Sequence, residues 1–116
     1  MENYIRKNID FAQTLAKKKI SAYLKESGYK LMKDEHYTKG IETRLFSWSN
    51  ENEIHGFQLI WDGKEQWFDL SELSSNSSSV KHIKLIPFKV TKWIFRKSYL
   101  DKIVESIINE IKMKIQ

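Results

Sequence analysis

The sequence predicts an α+β fold in which an antiparallel sheet of about four to six strands carries an N-terminal and a C-terminal helix on one face. Apolar residues recur at three- and four-residue steps near both ends of the chain, whereas the middle alternates apolar and polar residues. Strands and helices do not alternate as in βαβ units, so we expect an antiparallel sheet. A chain of 116 residues should form one domain, residues 1–116.

Both helices are predicted from apolar stripes with helical spacing. The first runs from residue 3 to about residue 27, and Gly28 supplies the left-handed position that commonly ends a helix. The second follows Ser98 and repeats Ile or Val at positions 103, 104, 107, 108, 111 and 115. Two wide apolar stripes are best buried by laying both helices across one apolar face of the sheet.

The middle of the chain predicts strands at 41–48 and 54–61, followed by a hairpin at Asp62 and Gly63. We expect a two-residue type I′ turn there, with Trp61 facing Lys64 across the hairpin. One hairpin face is strongly apolar and should form the core: Phe57, Leu59, Phe68 and Leu70.

Beyond the hairpin the pattern is less regular. Six of the nine residues at 71–79 are serine, which predicts a flexible surface connection. The runs 80–86 and 88–95 have strand character, and Pro87 between them either bulges an edge strand or helps turn a hairpin.

Composition restricts the class of protein. The absence of cysteine excludes disulfides, cysteine-ligated zinc and a thiol nucleophile. Charged residues interrupt the first fifteen positions, so no signal-peptide core is evident, and no apolar run approaches the roughly 18 residues that span a bilayer. We therefore expect a cytoplasmic protein without integral membrane association.

No motif in the sequence identifies an enzyme. His36, His55 and His82 lie in separate segments, no serine has a Gly-x-Ser-x-Gly setting, and the four glycines are spread singly. His55 is interpreted as a sheet-end residue with a satisfied ring nitrogen. We expect no cofactor, no metal and no catalytic residues, and the chain is more consistent with a binding protein than with an enzyme.

The tripeptide Asp62-Gly63-Lys64 has the acid-x-Lys form found in metal-dependent nucleases, with Glu42 or Glu53 as a further acid. Chance alone predicts about two such tripeptides from fifteen acids and seventeen lysines in this chain. Turn formation by Asp-Gly also explains these residues, so a nuclease is only the third hypothesis.

Charge is distributed unevenly along the chain. Residues 34–72 contain nine acids and three basic residues, whereas residues 74–100 contain six basic residues and no acid. Basic residues interleaved with aromatics are typical of single-stranded nucleic-acid binding, which is the alternative hypothesis. Its residues are Lys81, Lys84, Lys89, Lys92, Trp93, Arg96 and Lys97. The competing interpretation is that this basic strand pairs with the acidic hairpin and neutralises it internally.

The leading hypothesis is a small protein-interaction module of the accessory, antitoxin, immunity or inhibitor kind. Trp48, Ile54, Ile60 and Trp67 are expected on the sheet face opposite the core, where they would form an apolar contact surface. A protein partner or a homodimer would cover this surface. The alternative is that another layer of the same chain covers it.

Overall fold

A computed structural model of the chain describes residues 3–37, 42–52, 54–74, 80–88 and 97–115. Its elements are α1 (Asn3–Glu26), β1 (Tyr29–Tyr37), β2 (Thr43–Asn50), β3 (His55–Asp62), β4 (Trp67–Ser74), β5 (Val80–Pro87) and α2 (Lys97–Ile115). The strands form one sheet in the order β1-β2-β3-β4-β5, and every neighbouring pair is antiparallel. The predicted α+β fold is confirmed.

Helix α1 ends at the predicted glycine. Gly28 has a φ of 87°, and its backbone N–H donates to the carbonyl of Lys25 at 3.1 Å. The N–H of Ser27 donates to the carbonyl of Leu24 at 3.0 Å, which also closes the last turn. Glycine adopts this left-handed backbone without the steric penalty of a Cβ, so the chain reverses directly into β1.

Both helices pack on the same face of the sheet. From α1, Ser21 Oγ accepts a hydrogen bond from Trp48 Nε1 of β2 at 2.9 Å. From α2, Glu110 Oε1 lies 3.3 Å from Lys84 Nζ of β5. Because residues that share a sheet face alternate along each strand, these contacts define which side of all five strands is covered.

The core lies between the helices and the covered face. It joins the apolar stripes of α1 and α2 to inward-facing side chains of β2, β3, β4 and β5. Its largest fully buried side chains are Trp48, Trp61, Phe46, Phe57, Phe68, Phe88, Ile20, Leu24, Leu59, Leu70, Leu100 and Ile107. The four core residues predicted for the hairpin, Phe57, Leu59, Phe68 and Leu70, are all among them.

The predicted two-residue turn at Asp62 and Gly63 is wrong. Asp62 pairs with Trp67, so four residues connect β3 to β4, and Trp61 faces Phe68 rather than Lys64. The carbonyl of Asp62 accepts from the N–H of Gln66 at 2.8 Å, and Gln66 takes the left-handed conformation with a φ of 56°. The predicted core face of the hairpin is nevertheless correct. The observed register differs from the predicted one by four residues, and an even difference leaves each side chain on its predicted face.

The placement of Trp48 opposite the core is also wrong. Trp48 pairs with Phe57, so both face the helices, and Trp48 is fully buried. Leu45 lies on one face of β2 whereas Phe46 and Trp48 lie on the other, so both faces carry apolar residues. Alternation alone did not show which was inward, and the pairing of β2 with β3 decided it.

Both edge strands are irregular. The register of β1 against β2 shifts between Leu31 and Lys33, and the register of β4 against β5 shifts between Leu70 and Ser71. Pro87 is the last residue of the edge strand β5 and pairs with Trp67, so the irregularity in β5 lies elsewhere. Residues 71–74 of the serine-rich connection belong to β4, and the rest of it, like residues 89–95, lies outside the described residues.

No helix within the described ranges has the length and apolar character needed to cross a bilayer.

Candidate protein-binding face

The sheet face opposite the helices, here called the open face, has no described helix packed on it. Strand pairing arranges its outward side chains in rows that cross the sheet from β1 to β5, numbered here from the turn between β3 and β4. The first row is Tyr37, Thr43, Asp62, Trp67 and Pro87. The second row is Glu35, Leu45, Ile60, Asp69 and Leu85. These two rows contain three acids and no lysine or arginine.

The other two rows have the opposite charge. The third row is Lys33, Ser47, Gln58, Ser71 and His82. The fourth row is Lys30, Ser49, Gly56, Leu73 and Val80. They contain two lysines, one histidine and no acid, so the open face is acidic at one end of its strands and basic at the other.

Apolar side chains occur in both halves of the open face. Trp67 and Ile60 lie there as predicted, half-buried by their neighbours. Ile54 precedes β3 in the turn after β2 and is 47% exposed, so it lies beside the face at its rim. Val80 and Leu85 on β5 are 56% and 37% exposed. Of the four residues predicted for the contact surface, only Trp48 is excluded by its burial.

Asp69 lies near the middle of the open face between Ile60 and Leu85. His82 Nε2 approaches Asp69 Oδ1 to 3.3 Å, which is ion-pair distance. The contact between His82 and Asp69 does not have the geometry of a hydrogen bond. Within the described residues, Asp69 Oδ1 is shielded from solvent and has no hydrogen-bond partner. This pair links the acidic half to the basic half of the face.

The covered face carries a different cluster at the end where α1 stops. Tyr29 Oη lies 2.6 Å from His55 Nδ1, and His55 Nε2 lies 2.5 Å from Glu72 Oε2. Asn50 Oδ1 accepts from the backbone N–H of His55 at 3.3 Å. Burial, followed by the negative charge of Glu72, raises the pKa of the Tyr29 phenol. The phenol is therefore held protonated and is not an activated nucleophile. The interpretation of His55 as a sheet-end residue with a satisfied ring nitrogen is confirmed.

A second polar cluster anchors α1 to the opposite end of the sheet. Arg44 donates to both carboxylate oxygens of Asp34, from Nε at 2.9 Å and from Nη2 at 3.0 Å. Lys17 of α1 binds the same carboxylate at 2.9 Å, and Arg44 Nη1 reaches Gln13 Oε1 at 3.3 Å. The hydrogen bond from Arg44, opposed in part by burial and reinforced by Lys17, lowers the pKa of Asp34.

Beside this cluster, Gln13 and Trp61 line a narrow gap between α1 and the sheet that is too small for a water molecule. Within the described residues, the side-chain nitrogens Gln13 Nε2 and Trp61 Nε1 are buried without hydrogen-bond partners. Two buried donors without acceptors lower the stability of the folded chain.

The basic segment of the alternative hypothesis is only partly described. Lys84 pairs with Glu110 of α2, and Lys81 lies beside Glu72 of β4. Both placements are consistent with neutralisation inside the molecule. The side chains of Lys89, Lys92, Trp93, Arg96 and Lys97 lie outside the described residues.

The nuclease hypothesis gains no support at Asp62. Asp62 Oδ1 accepts from the backbone N–H of Lys64 at 2.9 Å and of Glu65 at 3.2 Å, so this oxygen stabilises the turn. Within the described part of the chain, no three His, Asp or Glu side chains lie together as a metal site requires. Glu53 lies outside that part.

No family model matches the chain, and no curated protein or solved structure shows significant similarity to it.

Sequence reasoning missed the partner of each histidine. His36 Nε2 lies 2.9 Å from Glu42 Oε1, His55 pairs with Glu72, and His82 pairs with Asp69. His36 and Glu42 are six residues apart, but the other two pairs bridge different strands. Only the strand register brings them together. A correct hairpin register would have placed Glu72 near His55, and this signal was lost with the predicted turn.

Proposed function

We propose that this chain is a protein-interaction module that binds its partner through the open face. The observation that supports this proposal is the set of apolar side chains on a sheet face that no described helix covers. They are Leu45, Ile60, Trp67, Leu73, Val80 and Leu85. Apolar patches bordered by polar and charged residues are typical of protein contact sites.

The sheet edges are less suitable for binding than the face. A strand that pairs with a free edge needs a regular row of unpaired N–H and C=O groups. The register shift near Leu31 interrupts β1, and β5 combines a register shift with Pro87, which has no N–H to donate. A partner that packs against side chains on the face avoids both irregularities.

This mode of binding suits an accessory, antitoxin, immunity or inhibitor protein of the cytoplasm. Such a protein acts by occupying a surface, so it needs neither a nucleophile nor a metal. The proposal depends on the side chains of the open face and not on fold class, because one fold supports many functions.

Site-specific photo-cross-linking in cells tests the proposal. A photoreactive amino acid is placed at Leu85 on the open face and, as a control, at Met113 on α2, which is 64% exposed. We expect a covalent protein adduct from position 85 and none from position 113. The absence of an adduct at position 85, or identical adducts from both positions, would refute the proposal.

Single-stranded nucleic-acid binding by the basic segment stays a prediction. This hypothesis requires that the affinity for nucleic acid falls steeply as the salt concentration rises. Basic side chains that neutralise phosphates release bound counterions, and added salt opposes that release. A fluorescence titration with single-stranded DNA and RNA at 50 mM salt tests it. Binding that is absent, or unchanged by charge reversal at Lys89 and Lys92, would refute it.

A further inference from the structure

We infer that the partner on the open face is a second copy of this chain, in a symmetric dimer whose two sheets stack face to face. This inference rests on the proposed function and specifies its occupant. The two-fold axis lies between the sheets, runs across the strands and passes between the second and third rows. It places the first row of each copy over the fourth row of the other, and the second row over the third.

Charge complementarity selects this arrangement. Because the first two rows are acidic and the last two are basic, the operation sets each acidic half on a basic half. On β1, Glu35 of each copy faces Lys33 of the other, and the contact occurs twice by symmetry. A two-fold axis along the central strand β3 would instead set each row on itself, so the two acidic halves would oppose each other and Asp62 would face Asp62. Like charges opposed across an interface disfavour that alternative.

Four apolar residues on β4 and β5 are complementary under the same operation. On β4, Trp67 in the first row faces Leu73 in the fourth row of the second copy. On β5, Pro87 faces Val80 of the second copy. Each of these contacts also occurs twice, so two patches of apolar contact flank the axis. An isologous interface requires this kind of self-complementary pattern. Leu45, Ile60 and Leu85 of the second row instead face the third-row residues of their own strands in the second copy, Ser47, Gln58 and His82.

The size and geometry of the face suit a dimer. Strand spacing and rise give five strands and four rows an area of about 650 Å² per copy, or about 1,300 Å² in total. That total falls within the range of specific protein interfaces, about 1,200–2,000 Å². An axis across the strands also keeps the strands of the two sheets aligned, as in face-to-face sheet packing.

Sedimentation of the full chain at low salt, measured over a concentration series, tests the dimer. We expect reversible dimerisation by the wild type. Glu35→Lys and Lys33→Glu should each raise the dissociation constant about tenfold, because each brings like charges together twice. Lys114→Glu on the exposed side of α2 makes the same charge change as Lys33→Glu and should leave dimerisation unaltered. Circular dichroism checks that every variant folds.

Mixing the two variants is the decisive measurement. A heterodimer of the Glu35→Lys and Lys33→Glu chains pairs lysine with glutamate at both contacts, so it should form with near wild-type affinity. If the mixture does not recover affinity, the dimer uses another surface and the inference is refuted. A monomeric wild type that nevertheless cross-links another protein at position 85 refutes the dimer but leaves the proposed function standing. A monomeric wild type without any adduct refutes both.

Discussion

Tyr29 Oη of β1 lies 2.6 Å from His55 Nδ1 of β3, and this contact joins two strands that are not neighbours in the sheet. The other ring nitrogen of His55 lies 2.5 Å from the Glu72 carboxylate of β4. Because an ionised carboxylate only accepts hydrogen bonds, the His55 tautomer that satisfies both contacts carries its hydrogen on Nε2 and accepts the Tyr29 hydroxyl at Nδ1. The chain of hydrogen bonds therefore connects β1, β3 and β4 across the end of β2.

Removing the Tyr29 hydroxyl should destabilise the protein. Tyr29→Phe leaves the half-buried Nδ1 of His55 without its donor, and we expect the free energy of unfolding to fall by about 1–2 kcal/mol. Urea denaturation measures the change. Tyr99→Phe is the matched control, because the Tyr99 ring stacks on Phe88 and the substitution retains that ring. Equal stability losses in the two variants would contradict a role for the Tyr29 hydroxyl.

The ion pair of Asp34 should stabilise the protein at neutral pH and fail in acid. Arg44 lowers the pKa of Asp34 in the folded state below its usual value of 3.8. The ion pair of Asp34 therefore makes its full contribution to the free energy of unfolding well above pH 3.8. This contribution is lost as pH falls through the lower pKa of the folded state. We expect Asp34→Asn to destabilise the protein at pH 6 and to differ less from wild type as pH approaches 2. Thermal unfolding across this range measures it.

Asp101→Asn provides the comparison for Asp34. Asp101 pairs with Lys19 at 3.0 Å in a more exposed setting, and exposed pairs contribute little. Its effect at pH 6 should be smaller than that of Asp34→Asn. A difference between wild type and Asp34→Asn that is constant with pH would show that the Asp34 charge does not contribute.

Two tryptophans on opposite faces of the sheet should respond unequally to substitution. Trp48 is fully buried and donates to Ser21, so Trp48→Phe should lower the free energy of unfolding by about 2 kcal/mol through lost packing and a lost hydrogen bond. Trp67→Phe on the open face should cost less than about 1 kcal/mol, because the ring is only half-buried. Urea denaturation measures both losses in the free energy of unfolding, at a protein concentration low enough to keep the chain monomeric. A larger loss at Trp67 would reverse the assigned faces.

The turn between β3 and β4 should depend on a hydrogen-bond acceptor at position 62 and not on a negative charge. Asp62→Ala removes the acceptor for the N–H groups of Lys64 and Glu65, and we expect a loss of about 1 kcal/mol in the free energy of unfolding. Asp62→Asn keeps an oxygen in the same place and should retain most of that stability. Comparable losses in both variants would show that the charge matters instead.

The sequence by itself determined the class of fold and most of the core. Apolar spacing located α1 and α2, the period of two located the strands, and Gly28 marked the end of α1. These features are local, because backbone geometry sets which residues share a face within one element. The inward face of the β3–β4 hairpin was therefore predictable even with the wrong turn, since an even error in register preserves every face.

Only the tertiary structure decided how the elements pair. The inward position of Trp48 follows from its pairing with Phe57, and the partners of His55 and His82 follow from the registers of β3, β4 and β5. The same registers sort the charges of the open face into an acidic half and a basic half. Register depends on turn length and on contacts between residues distant in sequence, so no local pattern encodes it.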